Sequence, residues 1–168
     1  MRIAAAAFAL PGANPFGWGA AWAWGLPLIV LTVSLHVVVL GVTSKKFIDF
    51  ASGRLQGRHS NAVFVSFVGV TTWLATCLHG IEAGIWAVAY RFLDALPNFK
   101  SSMLYSLNAM TSYGHENLEL DDRWQLMGAL EALNGWLLFG LTTAFLFAVI
   151  QKVWSSTVAP STSSSLPR

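Results

Sequence analysis

The chain has 168 residues, 55% of them hydrophobic and only 11% charged, with eight Trp, against roughly 25% charged residues in a soluble domain. That is the composition of an integral membrane protein. A formal net charge of +2, with the basic residues scattered, implies no nucleic acid or other polyanion as partner, and the lone Cys77 rules out an intrachain disulfide or a cysteine metal pair.

The opening, MRIAAAAFALPGANP, has one basic residue and a short apolar stretch before small residues, a weak match to a secretory signal. We read residues 1–16 as a retained external segment at the membrane surface. Gly17 to Val42 carry no charge, and about 20 apolar residues cross a bilayer core, so residues 17–43 form transmembrane helix one, bent at Pro27. Residues 44–61 follow as a basic loop, with Lys45, Lys46, Arg54 and Arg58 against Asp49 alone. By the positive-inside rule that loop is cytoplasmic, the amino terminus external and the carboxyl terminus cytoplasmic.

Residues 62–92 form the second, outer span, whose apolar run is interrupted by His79 and Glu82. Residues 123–154 form the third, inner span, interrupted by Glu131, Asn134, Gln151 and Lys152. Residues 155–168 are a Ser-rich cytoplasmic tail. The link from Arg91 to Arg123 carries Asp94, Glu116, Glu119, Asp121 and Asp122 and lies outside. Within it, Met103, Leu104, Leu107 and Met110 have the spacing of a short helix, too short to span. A half-length apolar helix followed by a Gly-containing extended stretch is the pattern of a re-entrant pore loop, here residues 98–117. Such backbone is tolerated at membrane depth only where protein or a water path shields it.

These residues resemble the two-transmembrane pore module of tetrameric potassium channels, particularly bacterial members with an extra amino-terminal span. MLYSLNAMTSYGHEN aligns without gaps on that family's pore helix and T-T-V-G-Y-G-D filter: Thr111 and Ser112 fall on the two Thr, Tyr113 on Val, Gly114 on the first Gly, His115 on Tyr, Glu116 on the second Gly and Asn117 on Asp. FGLTTAFLFAV, Phe139 to Val149, is similar to the family's cavity and gate stretch, with Gly135 and Gly140 where inner helices bend. LHGIEAGIWAVAY and GALEALNGWLLFG also look like the bacterial branch, and the resemblance covers about residues 62–151.

The resemblance implies an all-α integral membrane fold of three transmembrane helices plus a re-entrant pore helix and filter loop per subunit, closed as a cyclic homotetramer in a bacterial inner membrane. It implies a cation channel with a non-standard filter, passing ions between copies of residues 112–116 into a cavity lined by Thr142 and Thr143. Potassium filters coordinate dehydrated ions by backbone carbonyls, and Glu116 removes a Gly that this geometry uses. Four Glu116 carboxylates would form a ring of the kind found in non-selective or divalent-preferring channels. The expected partners are the chain itself and the lipid bilayer. No cofactor beyond permeant monovalent or divalent cations, no metal ligand set and no enzymatic activity is expected, and with no row of Arg in span one, no steep voltage gating.

Several residues carry two readings. His115 either forms an imidazole ring titrating near neutral pH or packs sideways in place of the family's Tyr, the second being favoured. Glu116 is read as facing the permeation path, because a carboxylate at membrane depth is costly unless watered or paired. His79 and Glu82 share a helix face, and Glu131 reaches a similar depth, so the three are expected to meet behind the pore helix as structural support for the filter. A proton or metal path through them is the lesser alternative. His36 shows no charged neighbour and is read as a neutral His bonded to another helix. Asn108 and Asn117 stand where the family has acidic clamps. Trp18, Trp22, Trp24 and Trp154 fit aromatic belts, and Glu116, Glu119, Asp121 and Asp122 would concentrate cations at the mouth. Two rivals stand beside the channel: a non-conducting membrane subunit that retains the fold, and an assembly or metal-handling accessory using His79, Glu82 and Glu131.

Overall fold

The computed structural model describes residues 15–54, 60–114 and 118–158. Helix α1 runs Pro15–Arg54, α2 Ser60–Phe92, α3 Phe99–Thr111 and α4 Gln125–Val158, the last preceded by a single 3₁₀ turn at Asp122–Trp124. No strand occurs among the described residues.

Among the described residues, three stretches are long and apolar enough to cross a membrane: Trp18–Lys46, Phe64–Phe92 and Asp122–Gln151, of 29, 29 and 30 residues. At 1.5 Å per residue each reaches about 44 Å, ample for a hydrocarbon core of about 30 Å. The 13 residues of α3 reach only about 20 Å. The chain is thus built as an all-helical membrane protein with one short helix between its second and third long ones.

The first boundary differs from the sequence expectation. The basic stretch expected as a loop over 44–61 is helical up to Arg54, as a continuation of α1, and helical again from Ser60. No proline interrupts the segment after Lys46, and Lys, Ala and Arg favour helix, so change of polarity at the membrane surface does not end the helix. Pro27 sits inside α1. The carboxyl-terminal segment is likewise helical as far as Val158.

Packing is densest at the end of the bundle where α3 lies. Trp86, Tyr90, Tyr105, Leu120, Trp124, Met127 and Leu130 form a continuous buried cluster there, with Tyr90 edge-on to Tyr105 at 5.3 Å between ring centroids. Trp124 is buried and Arg123 covers its ring, while Trp18, Trp22 and Trp24 are exposed on α1, where a belt of amphipathic rings would face lipid. Long apolar side chains also cover the outside of α4, including Leu133, Trp136, Phe139 and Phe147.

Candidate functional site

The placement of α3 organises the site. Asn98 caps its start, the side chain accepting from Ser101 N–H at 2.8 Å, an ordinary N-cap that satisfies a first-turn donor. At its other end the Met110 backbone packs directly on Gly135 of α4, so closely that a Cβ at Gly135 would collide with the Met110 carbonyl oxygen and lie 2.7 Å from its Cα. Gly135 stands thirteen residues into the span that begins at Asp122, about 20 Å along the axis. The carboxyl end of α3 therefore meets the third long helix near the middle of its apolar span.

The helix ends by a left-handed residue. Ser112 has φ +55, and the N–H groups of Ser112 and Tyr113 bond the carbonyl oxygens of Ala109 and Asn108, which closes the last turn. Trp136 Nε1 donates to Ser112 Oγ at 3.1 Å, fixing that turn to α4. Gly114 follows at φ +100, a backbone conformation that side chains resist. Thr111 turns its hydroxyl back to Leu107 O, and Tyr113 is 83% exposed in the single chain. His115, Glu116 and Asn117 lie outside the described residues.

The polar network expected behind α3 divides in two. Glu131, fully buried, takes the Tyr90 hydroxyl on Oε2 at 2.7 Å and is hydrogen-bonded through Oε1 to Ser106 of α3. Ser106 also bonds Ala83 O at 2.8 Å. Three hydrogen bonds need three protons, and Ser106 and Tyr90 supply one each; all three are made together when the carboxyl carries the third. This group ties α3 to both α2 and α4 through two hydroxyls that the sequence reading missed.

His79 and Glu82 do not join Glu131; they meet His36 instead, and this corrects the reading of His36 as lacking a charged neighbour. His36 Nδ1 lies 2.9 Å from Glu82 Oε1 and His79 Nδ1 lies 3.2 Å from Glu82 Oε2. The two Nε2 atoms both reach Thr142 Oγ1, at 3.0 Å from His36 and 3.2 Å from His79. Thr142 thus points between α1 and α2, whereas Thr143 bonds the Phe139 carbonyl on the exposed side and Gly140 has open space around it. Thr142 was expected to line the cavity, and its hydroxyl is already engaged here.

The reason is helical phase. Thr32 and His36 are one turn apart on α1; His79, Glu82, Trp86 and Tyr90 share a stripe of α2; Glu131, Asn134, Leu138 and Thr142 share a stripe of α4. These stripes face one another, and every residue in them is buried except His79 and Thr142, which are half-buried. Asn134 Nδ2 donates to Thr32 Oγ1 at 2.9 Å between the two clusters. Asn108 acts through its backbone carbonyl, and no side-chain bond of Asn108 is present among the described residues. The signal for the missed partners was in the chain: Tyr90 lies eight residues after Glu82, and Thr32 precedes His36 by four, on the same helical faces.

Between α2, α3 and α4 opens a cleft of about 710 Å³, lined largely by apolar groups, among them Met103, Leu107, Met110, Trp136 and Phe139, with His79 at its wall. Comparison with protein-family models, curated proteins and solved structures finds no match.

Proposed function

We propose that the chain is the subunit of a homotetrameric cation channel, passing ions passively across a bacterial inner membrane, with its amino terminus external. The observation that carries this reading is the short helix α3, whose carboxyl end abuts Gly135 near the middle of the apolar span Asp122–Gln151 and runs into Ser112 and Gly114 at positive φ. A helix carboxyl end carries about half a negative charge. Directed to membrane depth, that end favours a cation where bulk water cannot. A carbonyl-lined turn behind it is a means of replacing an ion's hydration shell.

One chain supplies one such end, so a permeation path needs several around an axis, and cyclic closure provides them. The exposed apolar side of α4 and the apolar cleft beside α3 supply surface for neighbouring subunits. Glu116 then forms the outer charged ring, while Gly140 and Thr143, on the open side of α4, line the path below. Glu131 acts as the anchor of α3. The likeness of TSYGHEN and FGLTTAFLFAV to a potassium-channel filter and inner helix supports the same reading from sequence.

The test is ionic current through the purified protein in a planar bilayer, comparing potassium, sodium and calcium for wild type and Glu116→Gly. A mixed or divalent current that becomes more potassium-selective in the variant supports Glu116 as the selecting ring. A potassium-selective wild-type current assigns selection to the backbone carbonyls. A verified tetramer without current across pH and voltage would overturn conduction in favour of a non-conducting subunit.

A further inference from the structure

Two imidazoles and a carboxylate from the consecutive helices α1 and α2 converge at one point inside the bundle. His36, His79 and Glu82 place one ligand atom each within 4.8 Å of one another, with His36 and Glu82 fully buried. In a tetrahedral site with bonds of about 2.0–2.1 Å, neighbouring ligand atoms lie about 3.3 Å apart. His36 Nδ1 lies 2.9 Å from Glu82 Oε1 and His79 Nδ1 3.2 Å from Glu82 Oε2, so each imidazole is near that edge length from one oxygen of the carboxylate. Glu82 Oε2 is buried and makes no hydrogen bond of good geometry. A carboxylate oxygen left so in an apolar interior calls for a cation.

From this cluster we infer that His36, His79 and Glu82 form an intramembrane binding site for one divalent transition cation of the zinc class. Hydrogen counting supports it. Three contacts around the ring are hydrogen bonds, His36 to Glu82 and both imidazoles to Thr142, and they use the three protons of two neutral imidazoles and one hydroxyl, so His79 Nδ1 faces Glu82 Oε2 at 3.2 Å with no proton between them. A cation on both Nδ1 atoms and on the carboxylate fills that contact, and each remaining Nε2–H can then donate to one of the two lone pairs of Thr142 Oγ1. That is the usual support of a metal-bound His, whose second ring N–H is held by an oxygen.

The donor set decides the metal class. Nitrogen ligands with one carboxylate suit zinc, cobalt or nickel, whereas magnesium and calcium take oxygen shells. Three protein ligands leave a position for water or a small anion. His79, 30% exposed in its side chain, lines the apolar cleft. The site joins α1 to α2, with Thr142 of α4 behind it, and is independent of the ions that would pass along the exposed side of α4.

The test uses untagged full-length protein in detergent, titrated with cobalt(II) and then zinc. One cobalt per chain is expected, with the visible absorption of a four- or five-coordinate nitrogen and oxygen site, displaced by one zinc. His36→Gln and Glu82→Gln should weaken binding at least 100-fold, and Thr142→Val, which keeps all three ligands, 10- to 100-fold. Full binding in His36→Gln would assign the metal to His59, His115 or Cys77 and overturn the site. Absence of a cobalt spectrum in wild type would do the same. If the ligand variants do not fold, X-ray absorption of the zinc-loaded wild type decides: two imidazoles in the first shell uphold the site, and sulfur or an all-oxygen shell overturns it. None of these readouts depends on whether the protein conducts ions.

Discussion

Glu131 and Glu82 are both fully buried carboxyls on membrane-length helices, yet one is held by hydroxyls and the other by imidazoles. Around Glu131, the hydroxyls of Tyr90 and Ser106 bring hydrogen bonds and no compensating charge. Such a group is a fixed hydrogen-bonded knot, and its work is mechanical: it ties the short helix to the helices on either side. Around Glu82, His36 and His79 are both of a type that ligates metals, and the contact spans α1, α2 and α4. The same acid at the same kind of interface therefore becomes an anchor or an exchangeable site according to its partners.

Removing the anchor should have the largest effect. Glu131→Ala leaves the Tyr90 hydroxyl without its acceptor, breaks the Ser106 contact and opens a cavity, and is expected to cost about 3 kcal/mol, read as a fall in unfolding temperature in detergent. A loss no greater than that of the exposed Glu119→Ala would show that α3 is held without it. Next comes Gly135→Ala, whose Cβ would meet the Met110 backbone; pushing α3 off α4 should cost about 2 kcal/mol. Gly140→Ala is the control, because nothing lies within 4 Å of a Cβ there, and it should change stability by less than about 1 kcal/mol.

The remaining pair sharpens the contrast between the two carboxyls. Thr142→Val removes the oxygen shared by both imidazoles and is expected to cost about 1 kcal/mol without metal, less than the loss of the anchor. Zinc should then raise the unfolding temperature of wild type more than that of this variant. The smallest effect is expected for Glu131→Gln, about 0.5 kcal/mol, since an amide donates to Ser106 and accepts from Tyr90 as a protonated carboxyl does. A loss comparable to Glu131→Ala would mean that the knot needs an ionised acid.

The sequence by itself determined the membrane class, the three long apolar helices and the short helix after Pro97. These follow from local hydropathy and from side chains acting within a turn or two of their own position. It misplaced the end of α1, because polarity changes at Lys45 while helix propensity does not. Tertiary structure alone decided how the polar residues divide. The His36–Glu82 contact joins residues 46 apart and the His36–Thr142 contact residues 106 apart; such pairs depend on how three helices are rotated and crossed, which no window of sequence records. Glu131 could have joined His79 and Glu82 at its depth. Its place on α4 turns it to Ser106 and Tyr90 instead, and leaves His36 to complete the other group.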